Sequence, residues 1–302
     1  MTLVLPILRS VLDFGPPLIL AALGGVISER AGVVNIGLEG LMRVGAFFAC
    51  WAAFATGNAW VGVVAGMTAG AALAAVHAFV SIHGRADQVV SGIAQNLVAL
   101  GLITFLLETI FGTTGTAPVE TLPELPTLFG RSPYTYLAFT APFALAALLR
   151  YTVLGLRLRA VGEHPHAAAT LGVSVARVRW VAVLTGGALA GLGGSALSLV
   201  ILHRFDNKMP AGMGFMALAA MVFGKWTPVG ALGASLFFAF GNAAVDAIRS
   251  SIPPSGALAA FHLDGILLAV PYLLTLALLG GFVGRAVPPA ADGIPFDPEA
   301  KH

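Results

Sequence analysis

Residues 157–179 read RLRAVGEHPHAAATLGVSVARVR, and this stretch carries four arginines, one glutamate and two histidines. Long apolar runs lie on both sides of it. A segment this charged has to stay in water, so the flanking runs define a membrane and the island defines one of its faces. Pro165 suits a first helical turn, the alanines from Ala167 to Ala169 favour helix, and Gly172 is a natural stop. Together they predict a short surface helix from Pro165 to Leu171. Ser174 is placed to cap the next, membrane-entering helix. A short helix bracketed by arginines on a membrane face is a docking surface.

Composition supports the same division. Of 302 residues, 58% are hydrophobic and 10% charged, against roughly 25% charged in a soluble domain. The 37 glycines and many alanines suit helices that approach closely in lipid, whereas a barrel needs alternating short strands. The expected fold is therefore all-α, a polytopic membrane helix bundle. A net charge of +2 with arginines scattered between apolar runs makes a nucleic-acid surface a poor fit. Cys50, the one cysteine, can form no internal disulfide or cysteine-cluster metal site. The N-terminus has no charged leader and is expected to be retained as the start of the first helix. Residues 286–302 are rich in proline and in small or charged residues, so a mobile tail is expected there, following a membrane domain at 1–285 whose water-facing loop is 157–179.

Nine apolar segments follow in order: Val11 to Ser28, Ile36 to Ala55, Ala59 to Ile82, Val89 to Phe111, Tyr134 to Leu156, Trp180 to Leu202, Met213 to Phe223, Val229 to Ile248 and Leu263 to Val283. Most approach the ~20 residues that span ~30 Å of hydrocarbon. The seventh, about a dozen residues or roughly 20 Å long, predicts a short, broken or re-entrant helix, giving about eight or nine transmembrane helices. If the charged island is cytoplasmic, ten lysines and arginines fall on its side and five on the other, with Arg43 inside a helix. That bias puts the N-terminus outside and the C-terminus inside. The proline-rich, acidic loop from Thr113 to Pro133 then lies outside, as a solvated connector or a meeting point for a partner. AGVVNIGLEGLMRVGAF from Ala31 and MVFGKWTPVGALGA from Met221 both place glycine and polar residues before a Val-Gly-Ala that enters an apolar helix. They read as an internal two-half repeat or as a chance tripeptide.

No GxxxxGK[ST], HExxH or GxSxG is present, so neither ATP hydrolysis nor catalysis by this chain is expected. His164 and His166, two apart and without a carboxylate cluster, do not suit a metal. Polar groups inside the membrane are costly and so mark functional candidates. Glu39 and Arg43, four apart, can pair along one helix. Asn35, Gln95 and Asn96 can hydrogen-bond a neutral polar solute or hold helices together. No ladder of acidic residues crosses the bilayer, which argues against a proton-coupled secondary carrier.

The stretches ISERAGVVNIGLEGLMRVGAF, RADQVVSGIAQNLVALGL, AVGEHPHAAATLGV and ALAAMVFGKWTPVGALGA resemble permease subunits of bacterial ABC importers, in the branch with simple-sugar, ribonucleoside and branched-chain amino-acid permeases. The likeness covers nearly the whole chain and is greatest to nucleoside-type permeases. It implies a multi-pass protein of the bacterial cytoplasmic membrane, two permease subunits forming the pathway, two cytoplasmic ATP-binding subunits that use the ATP, and an extracytoplasmic solute-binding protein. It further implies that the second permease is related but different, and that no cofactor is held by this chain. Gly162, Glu163, Pro165, Ala168 and Gly172 match the loop that carries the ATPase-coupling helix. His164 and His166 depart from it. The translocation path is expected at Asn35, Glu39, Gln95 and Asn96, the solute being a nucleoside or, alternatively, a simple sugar or branched-chain amino acid.

Overall fold

The computed structural model describes residues 4–119, 121–251 and 286–297. Ten α-helices account for its regular structure: α1 (Val4–Glu29), α2 (Leu38–Thr56), α3 (Ala59–Ala78), α4 (Gln88–Phe111), α5 (Pro133–Tyr151), α6 (Val153–Glu163), α7 (Pro165–Thr170), α8 (Val175–Ala196), α9 (Met213–Phe223) and α10 (Pro228–Ser251). Single π-helical turns, Phe79–His83 and Leu197–Ile201, extend α3 and α8. Among the described residues the only strand-like pairings are two isolated bridges, Thr116 with Asp206 and Leu128 with Arg131.

Six helices (α1, α2, α3, α4, α8 and α10) are long and apolar enough to cross a bilayer, and α5 with α6 makes a seventh candidate. The eleven-residue α9 is short, as its sequence predicts. The apolar segment Leu263 to Val283 lies outside the described residues. The chain is thus a multi-pass membrane protein, helical throughout the regular elements of its described residues.

One expected segment is divided. Tyr134 to Leu156 reads as a continuous helix, yet the chain bends by 79° between α5 and α6. Thr152 adopts an extended conformation there, and its hydroxyl accepts a hydrogen bond from the Gly155 amide at 3.1 Å, capping α6. A β-branched cap residue competes with helix continuation in this way. The sharp turn sets the start of the charged island apart from α5 in a helix of its own. Ser174, in contrast, occupies the cap position of α8 without a side-chain capping bond.

α1 forms the axis of the bundle: Leu18, Ile19, Leu20, Ala21, Ala22, Leu23 and Val26 are all fully buried. A helix apolar on every side belongs in the centre. Around it, α2, α3 and α8 cross at small residues. A methyl group added at Gly191 of α8 would lie 2.5 Å from the Gly66 carbonyl oxygen and 2.9 Å from Gly70 Cα, both on α3. Backbones pack this closely only where side chains are absent. α4, by contrast, turns Val90, Ile93, Leu97, Val98 and Phe105 outward, the apolar exterior that lipid or a second membrane subunit accepts.

Two interruptions position the polar residues. The chain turns at Gly32, whose φ of +79° is in the left-handed region, and runs without helix through 33–35 before α2. Before α9, Ala211 and Gly212 take φ values of 44° and 87°. Alanine in that region carries a cost of roughly 1–2 kcal/mol, offset here by the capping of α9 described below.

Candidate translocation and coupling sites

Backbone groups freed by a broken helix in a membrane need partners from the protein. For residues 34–40 those partners come largely from α4 and α3. The Gln88 side-chain carbonyl accepts from the Val34 amide at 2.7 Å. Asn96 accepts from Gly40 at 2.7 Å and donates to the Ile36 carbonyl at 3.0 Å. Gln95 donates to the Gly37 carbonyl at 3.3 Å, and Asn35 accepts from the Gly37 amide at 3.1 Å. His77, 1% exposed, has Nε2 3.0 Å from the Val34 carbonyl and Nδ1 2.9 Å from Ser91 Oγ. A carbonyl can only accept, so His77 donates through Nε2 and accepts from Ser91 through Nδ1. The structure brings Asn35, Gln95 and Asn96 together around the break before α2, each bonded to backbone.

Glu39, in the first turn of α2, serves the second interruption. Its two carboxylate oxygens accept from the amides of Gly212 at 3.1 Å and Gly214 at 2.8 Å. These are amides at the start of α9, where helix N-termini favour negative charge. Arg43 lies 3.8 Å from Glu39, completing the expected i,i+4 pair, and its guanidinium also donates to the backbone carbonyl and side-chain oxygen of Asn207. The Asn207 amide in turn donates to Thr104 at 2.8 Å. Glu39 and Arg43 therefore tie α2 to the loop before α9 as well as to each other.

A cavity of about 640 Å³ opens beside them, lined by Glu39, Arg43, Leu100, Thr114, Gly115, Asp206, Asn207, Lys208, Ala211 and Gly212. Its wall carries two acidic and two basic side chains. Asp206 is kept ionised: burial pushes its carboxyl up, but bonds from the Thr116 hydroxyl and Lys208 amide, with Arg204 and Lys208 nearby, hold it below the usual carboxylate range. The loop from Thr113 to Pro133 packs here too, the Ala117 amide donating to the Phe205 carbonyl at 2.9 Å and Asn207 to Gly115 at 3.0 Å. The volume falls within the range of small-molecule sites, roughly 300–1,000 Å³.

α6, α7 and the turn after them carry the five residues expected to couple to an ATPase. Pro165 opens α7 at its first position, as its fixed φ favours. Ala168 is buried, and Gly172 ends the turn with φ +81° and open space where a Cβ would be. Leu171 beside it is 85% exposed. Gly162 is buried and Glu163 approaches Arg30 at 4.0 Å. The five expected residues thus divide: Gly162 and Ala168 anchor the element, while Gly172 faces outward.

Sequence reasoning did not reach two features here. The first is a buried polar knot at the end of α1: the Glu29 carboxylate accepts from Trp226 Nε1 at 2.5 Å, and Arg30 Nε donates to the Trp226 carbonyl at 2.7 Å. The second is residues 286–297. Their composition led to an expectation of mobility, yet the Ala291 amide donates to the Gly162 carbonyl at 2.8 Å, Ala290 to Glu163 at 3.2 Å, and Arg179 to the Ile294 carbonyl at 3.0 Å. Burial and the neighbouring Glu29 carboxylate push the Asp292 carboxyl up to about 8, against the pull of Arg179. Residues 298–302 lie outside the described residues. No cluster of three or more metal-binding side chains occurs among the described residues.

A multi-pass bundle with broken helices around a polar cavity and a short helix on one face defines a membrane permease. Residues 7–283 match the family described as the branched-chain amino acid transport system / permease component, and the chain belongs to that family. It is 41% identical to the guanosine ABC transporter permease protein NupQ of Bacillus subtilis (strain 168), over 96% of each chain. To the nucleoside ABC transporter permease protein NupC of Lactococcus lactis subsp. cremoris (strain MG1363) it is 37% identical, again over 96% of each. Among solved structures, an inward-facing metal-chelate type ABC transporter shares the fold, with a TM-score of 0.50 and 22% identity over 92% of this chain and 86% of the other.

Proposed function

We propose that this chain is the membrane-spanning permease subunit of an ATP-driven importer of the bacterial cytoplasmic membrane, and that its solute is a nucleoside or a related neutral polar molecule. The observation that carries this reading is the likeness along nearly the full length to permeases named for guanosine and nucleosides. The cavity at Glu39 and Arg43 supports it. Each charge in its wall is balanced by an opposite one, so an uncharged solute that hydrogen-bonds enters without leaving an unpaired charge. Asn35, Gln95 and Asn96 hold the adjoining break in α2 and line the path indirectly.

ATP is hydrolysed in a separate subunit. Residues 157–179 form the cytoplasmic coupling loop, and α7 docks on that subunit, moving as a rigid body when it closes. The permease alternates between outward-open and inward-open packings, favoured by different ligands of the assembly. The half-pathway pairs with a second, related permease, and an extracytoplasmic binding protein delivers the solute. Eight or nine crossings, counting α9 and the segment Leu263 to Val283, complete the bundle. The stretches 31–47 and 221–234, where the chain passes into the membrane in the same direction, are its internal repeat.

The family's description favours a second reading, branched-chain amino acids, because a zwitterion also suits a wall of paired charges. Purification in mild detergent, followed by reconstitution with the co-purifying chains, separates the two. A Walker-motif ATPase recovered with the permease, and ATP-dependent uptake of nucleosides, is the expected result. Uptake of leucine but not of guanosine would replace the solute, and a permease that purifies alone and hydrolyses nothing would overturn the assignment. Glu163→Arg or Gly172→Trp should abolish uptake while leaving insertion intact; normal uptake in both rejects the docking role.

A further inference from the structure

α7 is six residues long, under two turns, and a helix that short does not hold its own position. Its support comes from the far end of the sequence. The Ala291 amide satisfies the Gly162 carbonyl, one of the orphan acceptors at the end of α6. Ala290 bonds the Glu163 carboxylate, and the Phe296 ring lies 4.9 Å from that of His166 on α7. The same dozen residues grip the bundle elsewhere. Arg179 of α8 donates to Ile294, Asp292 shares a hydrogen bond with Glu29 at the end of α1, and Asp297 pairs with Arg85 at 3.1 Å in the turn between α3 and α4. Ala291, 5% exposed, fits where Gly32 leaves room: a methyl group on Gly32 would lie 2.9 Å from the Ala291 carbonyl.

We infer that residues 286–297 form a strap that positions the coupling helix, joining α7 to α1, α8 and the start of α4, so that displacement of α7 reaches the break at 34–40 through the Arg85 turn. Three residues beyond Arg85, Gln88 holds the Val34 amide, and α4 then supplies Gln95 and Asn96 to the same break. The strap touches both the coupling helix and the turn leading into α4, through Phe296 on His166 and Asp297 on Arg85, and it lies beside α8, whose Trp180 donates to His83 at 2.8 Å. Ala291 is its pivot and Asp297 its attachment to the turn before α4; neither lines the cavity beside Glu39. This inference rests on the reading of α7 as the ATPase contact.

The test uses the whole transporter in proteoliposomes, with uptake and ATP hydrolysis measured together. Ala291→Glu places a charge in the buried seat and is expected to lower solute moved per ATP about tenfold, within the usual range of coupling between sites. Loss of the ATPase from a permease that remains inserted and monodisperse also supports the strap. A milder variant covers the case in which Ala291→Glu does not fold. Asp297→Arg breaks a half-exposed pair, so a fall of about two- to fivefold is expected, and Arg85→Asp added to it should restore coupling. A ratio of uptake to hydrolysis that is unchanged in Asp297→Arg, or not restored in the double variant, overturns the strap. If the wild type itself shows no ATPase partner, the coupling reading fails with it, whereas wild-type coupling beside unaffected variants sinks the strap alone.

Discussion

Glu39 is the residue at which the largest single effect is expected, and the structure sets its size. Its carboxylate accepts two backbone bonds at the start of α9, from Gly212 and Gly214, and lies 3.8 Å from Arg43. The Glu39 and Arg43 side chains are only 10% and 13% exposed, so water reaches them only from the cavity side. Glu39→Ala leaves two amides unpaired and Arg43 without its counter-charge. Removing one member of a buried pair costs about 3–5 kcal/mol. Glu39→Gln keeps one acceptor oxygen but aims an amide donor at the second N–H, a loss of about 1–3 kcal/mol. Thermal unfolding of the detergent-solubilised protein should therefore rank wild type above Glu39→Gln and Glu39→Ala lowest. Uptake should fall in the same order, because α9 loses its anchor beside the cavity. An Ala variant as stable as the Gln variant, or uptake unaffected in both, would refute the claim that Glu39 holds α9 in place.

The strap carries a pH dependence. Asp292 titrates near 8 when seated beside Glu29 and Arg179, against about 3.9 when free, so seating takes up a proton and weakens as pH rises between those values, by at most about tenfold per unit, and levels off above the upper one. Amide hydrogen exchange across 286–297, corrected for intrinsic rates, should show protection falling from pH 6 to 8; Asp292→Asn, which leaves Glu29 as the one acid of the pair, should weaken the trend, and protection that rises with pH would contradict it. Gly191→Ala should lower the unfolding temperature, overpacking of this kind costing about 1–3 kcal/mol, whereas Gly101→Ala, with nothing within 4 Å of the new methyl, should not. Cysteines at Thr116 and Ser174 should react with impermeant reagents from opposite sides of the membrane, and same-side labelling would overturn the orientation.

The fold was largely legible because hydrocarbon imposes length and composition on whatever crosses it, and those are properties a sequence displays directly. The short α9 followed from its dozen apolar residues, and the Pro165 helix from proline and glycine at its two ends. The bend at Thr152 did not, because apolar residues resume at Val153 and Leu154 straight after Arg150 and Thr152, so the run reads as one helix, and the hydroxyl capping Gly155 marks the break. The seat of 286–297 was hidden for a related reason. Prolines and small residues promise no core of their own, but here they fill space that others leave: Ala291 fits against Gly32 and Gly162, residues more than a hundred positions away in the chain.

The polar site shows where intramembrane polarity is informative and where it is ambiguous. Asn35, Glu39, Gln95 and Asn96 were identifiable because unpaired polar atoms are costly in lipid, and the structure gathers them at two helix interruptions. The cost alone does not distinguish residues that contact a solute from residues that satisfy a broken backbone, and the three amides here do the latter. Gln88 and His77 do the same work and went unnoticed, Gln88 because it sits at a helix start where a polar residue is ordinary, and His77 because it is one histidine in an alanine-rich helix. What separates the two roles is the cavity. Asn207 and Gly212 border it from a loop that reads as a connector, yet the Asn207 carbonyl accepts from Arg43 and the Gly212 amide donates to Glu39, backbone bonds that no side-chain pattern records. The cavity wall beside Glu39 is therefore set in part by loop backbone held in place by α2, and that is why substitution at Glu39, rather than at any of the amides, gives the sharper test of the proposed path.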